Sequence, residues 1–336
     1  MFKKFVEKYN LPSFRLKQLQ EQYFIHNISS WDELTTWSKD MRETLKKEVP
    51  FSKLGNMQEF SSGDGRTVKL LSYTYDGYPV ESVLMRNKDR ITICISSMSG
   101  CPVGCKFCAT GRMKNNRILD EQEIIDQVMY FKRKLAKENE SVTNIVFMGM
   151  GEPLLNLENV LNAIKILTDP ELIGLSRRRI TLSTVGFIEP LKEFFKANTG
   201  VKIAISLHAP NQRLREFLMP KVAKDNRLDD LMRVLIDYQK KKGKKVTYEY
   251  ILIKDVNDSV EHAKELAKLL KNQICLVNLI NFNKSDNIPF EATTKRRVED
   301  FQTILNSRGI NNTLRHSHGN DILAACGQLA SRGDSI

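Results

Sequence analysis

No stretch of about eighteen apolar residues occurs in the 336-residue chain, so nothing in it predicts a membrane-spanning helix. The opening decapeptide, "MFKKFVEKYN", carries charges where a secretory leader needs an uninterrupted apolar segment. Fixed-period repeats, low-complexity tracts and long Pro/Gly/Ser linkers are also missing, which argues against solenoids and loosely tethered domains. Ser206 and His208 stand close together in "ISLHA", but without a G-x-S-x-G elbow they make no hydrolase motif. The expectation is a globular cytoplasmic chain with no membrane partner, whose 41% hydrophobic content can bury a full core as one large domain with an appendage.

Negative charge is in short supply. Fifty-two Lys/Arg against forty Asp/Glu leave +12 and a pI near 9.3, which favours a polyanionic partner because each basic side chain that meets a phosphate releases a condensed counterion. Nucleic acid is the natural candidate. Residues 1 to 50 hold nine Lys/Arg and seven Asp/Glu, so most of the excess lies beyond them. The densest run, "QKKKGKKV" at 239 to 246, also fits a solvated helix end favoured by the helix dipole.

From Leu11 to about Val49 the periodicity is helical, with Leu16, Leu19 and Tyr23 on one stripe, and "SSWDEL" offers Ser30 as an N-cap with Glu33 three residues on. Residues 66 to 86 alternate in strand fashion around Asp76-Gly77, a dipeptide suited to a tight hairpin. After Ile91, six short runs ("ITICIS", "NIVFMG", "RRITLS", "VKIAIS", "KVTYEYIL", "CLVNLI") alternate with amphipathic stretches. Such β/α alternation predicts a parallel sheet with helices outside it, as an open or closed α/β barrel.

Cysteine is scarce too, yet four of the six fall between 94 and 108. In a reducing compartment a tight cluster points to metal or redox chemistry rather than to structural disulfides. Cys101, Cys105 and Cys108 have the spacing C-x3-C-x2-C after a predicted strand, in a loop with Gly100, Pro102 and Gly104. Structural zinc takes four ligands, so an odd three favours a 4Fe-4S cluster that leaves one iron open to a small molecule. Cys275 opens an apolar strand and reads as core. Cys326, in "AACGQL", reads as an accessible, mobile thiol, and Cys94 by itself as a buried strand residue.

The motif C-x3-C-x2-C after the first strand of a β/α barrel resembles the signature of the radical SAM superfamily. "CISSMSGCPVGCKFCATG", "FMGMGEPLLNLENV", "SRRRITLSTVGFIEPL", "ISLHAPN", "VNDSVEHAKELAKLLK", "DILAACGQLA" and "FRLKQLQEQYF" further resemble the RlmN/Cfr family of adenosine methyltransferases, most of all its RlmN branch. The resemblance spans almost the whole chain. It implies a partial (β/α)6 barrel at 91–320, a helical accessory RNA-binding domain at 1–54, a β-hairpin linker at 55–90 and a C-terminal segment at 321–336.

The same resemblance implies one 4Fe-4S cluster on Cys101, Cys105 and Cys108, and two S-adenosylmethionine molecules per methyl transferred. It carries over Gly151, Glu152, Ser183, Ser206, Leu207, His208 and Asn283 as contacts to that cofactor. Cys326 becomes the methyl acceptor, Cys94 the resolving thiol that closes a disulfide with it, and Glu81 the proton acceptor. The implied reaction methylates C2 of an adenosine in 23S rRNA, with tRNA as a further substrate and flavodoxin or ferredoxin as electron donor. C8 methylation of the same rRNA adenosine, conferring antibiotic resistance as in the Cfr branch, is the alternative. Two other classes remain: a radical SAM paralogue acting on another RNA or a protein, and a noncatalytic RNA-binding protein that keeps the cluster as structure. The presence of both Cys94 and Cys326 argues against each.

The chain departs from the family pattern at three places. "GRMKNNRIL" lacks the usual Gln and paired glycines, "LMPKVAKDNRL" replaces a P-I-N segment, and Leu323 stands where an aspartate is usual. None of these is a cluster or thiol position. His316 and His318 are expected to contact phosphate or base rather than a second metal.

Overall fold

A computed structural model of the chain describes residues 2–285, 288–315 and 317–330. The N-terminal helices are α1 (Lys3–Lys8), α2 (Ser13–Gln20) and α3 (Lys39–Glu48), with a π-helical turn at Glu21–Ile25 and a 3-10 turn at Trp31–Glu33. They close around aromatic rings: Phe2 meets Tyr23 edge-on with centroids 5.2 Å apart, and Trp31 meets Phe51 at 4.7 Å. Leu19 and Tyr23 of the expected stripe are fully buried there. Ser30 precedes the 3-10 turn but makes no side-chain cap, and Glu33 instead accepts the Ser29 N–H at 3.1 Å.

One sheet runs through the rest of the chain. Strands β1 (Leu54–Ser61), β2 (Thr67–Thr74), β3 (Pro79–Asn87) and β4 (Arg90–Ile95) pair antiparallel in that order, and Gly77, at φ 83°, closes the β2–β3 turn as its dipeptide predicts. A short ladder joins β5 (Met98–Ser99) to β6 (Arg117–Ile118). Then come α4 (Glu121–Lys137), β7 (Asn144–Phe147), α5 (Leu157–Thr168), β8 (Ile180–Thr184), α6 (Ile188–Lys196) and β9 (Lys202–Ser206). They are followed by α7 (Gln212–Leu218), α8 (Pro220–Ala223), α9 (Leu228–Lys242), β10 (Val246–Leu252), α10 (Val260–Leu269), β11 (Cys275–Asn281), α11 (Lys295–Ser307) and β12 (Asn312–Arg315).

β4 and β7 to β12 lie parallel and in sequence order, each with its chain neighbour beside it. Six of these strands are the six runs read from the sequence. β12 is a seventh that "NTLR", with one large apolar residue, did not signal. No ladder joins β12 back to β1 among the described residues, so the barrel is open. The hairpin is not a free ribbon, because β3 pairs with β4 and continues the barrel sheet. "QKKKGKKV" is a helix end: α9 stops at Gly243, in the left-handed conformation, with Lys240, Lys241 and Lys242 in its last turn. Cys275 is buried at the start of β11, as expected of a core residue.

The helical segment is gripped by α4. Asp126 accepts the Tyr23 hydroxyl at 2.9 Å, the Ser52 hydroxyl at 3.1 Å and the Lys53 N–H at 2.7 Å. Lys132 donates to the Phe24 carbonyl at 2.6 Å, and Arg133 to that of Ile28 at 2.8 Å. Burial lifts the Asp126 carboxyl to about 6, although those three donors pull it down. Because the folded value lies above the unfolded one, the group favours folding fully below about pH 4, and that contribution is lost as pH rises through 6. Asp126→Asn cannot ionise. Relative to it, the wild type should lose roughly 2–3 kcal/mol between pH 4 and 7 in urea unfolding, and a gap that stays constant over that range contradicts this account.

Candidate active site

The cysteine loop leaves β4, passes through β5 and returns at residue 110. Gly100, at φ 69°, is required: a Cβ there would stand 2.3 Å from the Asn115 carbonyl oxygen. The loop is tied from outside by the Lys106 N–H to the Leu218 carbonyl at 3.0 Å and by Lys221 Nζ to the Pro102 carbonyl at 3.0 Å. Across from it, β7 ends in "GMGEP". Gly151, at φ 99°, lets this turn lie against Met98, whose Cβ would be 2.6 Å from an added methyl. Two strand ends are thereby brought into contact, with the thiols on one and Glu152 on the other.

A cavity opens at these strand ends. Its volume is about 150 Å³. Cys101, Cys105 and Cys108 line it, together with Gly151, Glu152, Ser183, Ser206 and His208. Glu152 is buried and accepts the Thr184 hydroxyl, the Leu154 N–H at 3.1 Å and the Val185 N–H at 2.9 Å. Burial nonetheless raises its carboxyl to about 7. The Ser183 and Ser206 hydroxyls meet at 3.2 Å. His208 sits at φ 57° and accepts the Ile251 N–H on Nδ1 at 3.1 Å, so the proton of the neutral ring is on Nε2. Burial, then the charge of Arg215, lowers its pKa to about 3, and the imidazole is neutral across the physiological range.

Leu207 and Asn283, also expected around this site, stand behind the wall and do not line the cavity. Leu207 is fully buried, with its carbonyl accepting Arg215 Nη1 at 3.1 Å. Asn283 donates from Nδ2 to the Cys326 carbonyl at 3.1 Å.

A second cavity abuts the first and is lined by Cys94, His318, Ala324 and Ala325. Cys108, Arg315 and Cys326 line both. Cys94 lies on β4, opposite Val83 and Val146, and packs with Ala324 and Leu329. Burial, then the neighbouring Cys326, pushes its thiol up to about 12. Cys326 is raised in the same direction by burial and drawn back by Arg315. Its accessible area faces the cavities, ringed by protein. The terminal segment that reads as mobile is fastened on both sides: Ala109 N–H to the Gly327 carbonyl at 2.8 Å, Thr110 hydroxyl to the Leu329 carbonyl, and Gln328 Nε2 to the Lys284 carbonyl at 2.7 Å. All three acceptors are backbone carbonyls, so the side-chain pattern gave no sign of the fastening.

Glu81, on β3, is 1% exposed and lines neither cavity. It pairs with Lys69 Nζ at 3.1 Å and lies beside the Ala330 N–H, while its Oε2 has no partner. Burial raises its carboxyl, and Lys69 opposes the rise. His318 lines the second cavity, and His316 lies outside the described residues.

Three residues of the site escaped the sequence. Arg315 pairs with Glu249 at 3.4 Å, and Glu249 also accepts Asn278 Nδ2 at 2.9 Å. Residue separations of 66 and 29 gave no local signal for either contact. Arg215 is completely buried on α7. Its clue was periodicity, since it falls in step with Leu218 and Val222 on an apolar stripe where a charge does not belong.

The donor set fits an iron-sulfur cluster. Among the described residues no three Cys, His, Asp or Glu side chains converge on one metal ion, whereas a cubane takes each thiolate on a different iron. Burial pushes the Cys101 thiol up to about 12 and Cys105 well above its ordinary value, so these thiolates need the positive charge of bound iron. The carboxylate, hydroxyls and imidazole beside them could hold a polar cofactor in the same cavity.

Residues 95–270 match the model of the radical SAM superfamily. A probable dual-specificity RNA methyltransferase RlmN of Aquifex aeolicus is 40% identical over 334 residues, covering 98% of this chain and 94% of that protein. One from Protochlamydia amoebophila, named RlmN 2, is 39% identical over 317 residues, covering 94% and 88%. The crystal structure of a radical SAM methyltransferase from Sphaerobacter thermophilus superposes with a TM-score of 0.94 at 38% identity, over 97% of this chain and 95% of that one. With three thiols and a carboxylate on one cavity of an open β/α barrel, the chain belongs to the RlmN family of the radical SAM superfamily.

Proposed function

We propose that this protein methylates C2 of an adenosine in 23S rRNA, and in tRNA, through a methylated Cys326. The observation that carries the reading is the place of Cys326: one thiol in the wall of two abutting cavities, the first lined by the three clustered cysteines and the second by Cys94. The relatives named as dual-specificity RNA methyltransferases support an RNA substrate, as does the +12 charge.

Cys101, Cys105 and Cys108 would hold the cluster, and Gly151, Glu152, Ser183, Ser206 and His208 would hold S-adenosylmethionine. Once bound, this pair supplies a sulfonium methyl donor and, on one-electron reduction by a protein such as flavodoxin or ferredoxin, a 5′-deoxyadenosyl radical. The Cys326 thiolate takes the methyl group by displacement, forming its S–CH3 bond as the donor's breaks. Burial disfavours that thiolate, and Arg315 offsets part of the cost. The methylated side chain would give one hydrogen atom to the 5′-deoxyadenosyl radical, forming 5′-deoxyadenosine, and its methylene carbon would join the adenine carbon, the adduct then giving up one electron to the oxidised cluster together with its ring proton. Glu81 is the base for the proton that leaves that carbon, its carboxyl raised by burial. Cys94, once deprotonated, then attacks the Cys326 sulfur: the S–S bond forms as the S–CH2 bond breaks, the released carbon takes a proton to become the methyl group of the adenosine, and a thiol reductant restores both cysteines. Leu207 and Asn283 act behind the wall, and residues 1–54 form the accessory RNA-binding unit.

Product analysis tests this. Nuclease digestion and NMR of the modified RNA should show 2-methyladenosine, with S-adenosylhomocysteine and 5′-deoxyadenosine formed in equal amounts, one S-adenosylmethionine yielding each. A methyl at C8 would move the chain to the other regiochemistry. Methyl transfer to RNA without 5′-deoxyadenosine would overturn the radical route.

A further inference from the structure

Arg215 is the largest fully buried side chain of the described residues, and it carries a charge with no carboxylate in contact. Its donors go to three backbone carbonyls: Nη1 to Leu207 at 3.1 Å and Ser206 at 3.3 Å, and Nη2 to Val185. Nε has no partner. An unpaired guanidinium in a dry interior is strongly unfavourable, and carbonyl dipoles offset only part of the cost. Its helix is bonded to the cysteine loop, since the Leu218 carbonyl at the end of α7 accepts the Lys106 N–H, one residue after Cys105, at 3.0 Å. His208, the neighbouring imidazole, is neutral and adds no counter-charge.

We propose that Arg215 is the built-in counter-charge of the cluster and a positioning residue that sets its reduction potential. The inference rests on the three cysteines holding a 4Fe-4S cluster. Three thiolates and a reduced cubane carry net negative charge into the place where the metal-free chain has an unmatched positive one. A fixed positive charge favours the reduced state, because that state is more negative by one electron. Arg215 also bonds the carbonyls of Ser206 and Val185, which line the cofactor cavity, and of Leu207 behind its wall, so its charge and the cavity wall are held by one side chain.

The test is an EPR-monitored redox titration of anaerobically reconstituted wild type, Arg215→Lys, Arg215→Gln and Arg215→Met, with iron and sulfide measured on each sample. The neutral variants should bind the wild-type amount of iron yet show a reduced-to-oxidised ratio at least about tenfold lower at a fixed potential, equivalent to ~59 mV for one electron. Arg215→Lys should stay close to wild type. Equal potentials in all four proteins would overturn the proposal. So would neutral variants that fail to fold while Arg215→Lys folds, since the guanidinium would then be a structural clamp. Wild type that takes up no iron would instead defeat the cluster assignment on which the inference stands.

Discussion

Cys94→Ala will leave protein covalently joined to RNA. If Cys94 acts only after the carbon–carbon bond has formed, its removal spares methylation of Cys326 and addition to adenine, and blocks release alone. A denaturing gel should then show a nuclease-sensitive, slowly migrating band approaching one RNA per active chain, with free methylated product reduced by about a hundredfold or more. Cys326→Ala should give neither band nor product, because the bridging atom is gone. The geometry suits this order of events. Cys94 is fixed in mid-sheet between Val83 and Val146, while Cys326 reaches both cavities from a turn that lies over it. Its thiol is pushed up to about 12 by burial, so in the resting protein it stays protonated and does not compete for the methyl group. Normal turnover by Cys94→Ala, with no adduct, would return Cys94 to the role of a core residue.

The second large effect is on iron. Replacing Cys101, Cys105 or Cys108 by Ala removes one of three protein ligands, and the protein should fall from about four irons per chain to below about one after anaerobic reconstitution, losing its brown absorbance. All three should also lose 5′-deoxyadenosine formation. The fold should survive, because these cysteines are only half-buried and their loop is held by Lys106, Lys221 and the Ala109 N–H rather than by the thiols. Circular dichroism matching wild type, together with absent iron, is the expected pair. A variant that keeps full iron content and radical formation refutes the ligand assignment.

Much of this site was legible because its chemistry is written locally. Three thiols in eight positions, a glycine-rich turn at a strand end and six β-branched runs separated by amphipathic helices need only near-neighbour spacing to be seen. What stayed hidden depends on contacts between distant residues. The barrel's β1 is exposed over seven of its eight residues, so it lacks the alternation that marks a half-buried strand. At the cap expected on Ser30, Glu33 takes the N–H of Ser29 instead, and the Ser30 hydroxyl makes no cap. The Glu249–Arg315 pair and the stitching of the last residues to the cluster loop link segments 66 to about 220 positions apart. Arg215 alone left a trace, as a charge in register with leucine and valine, a discord between pattern and residue type that a helical wheel shows without any structure.

The two hydrogen bonds that run from Ala109 to Gly327 and from Thr110 to Leu329 begin one and two residues after the last clustered cysteine and end one and three residues after Cys326. The cysteine loop and the segment that carries Cys326 should therefore open as one cooperative unit, with backbone amides that exchange with deuterium on a shared clock. Iron held at Cys108 would then slow exchange around residue 327, and a disulfide at residue 326 would be felt in return by the cysteine loop.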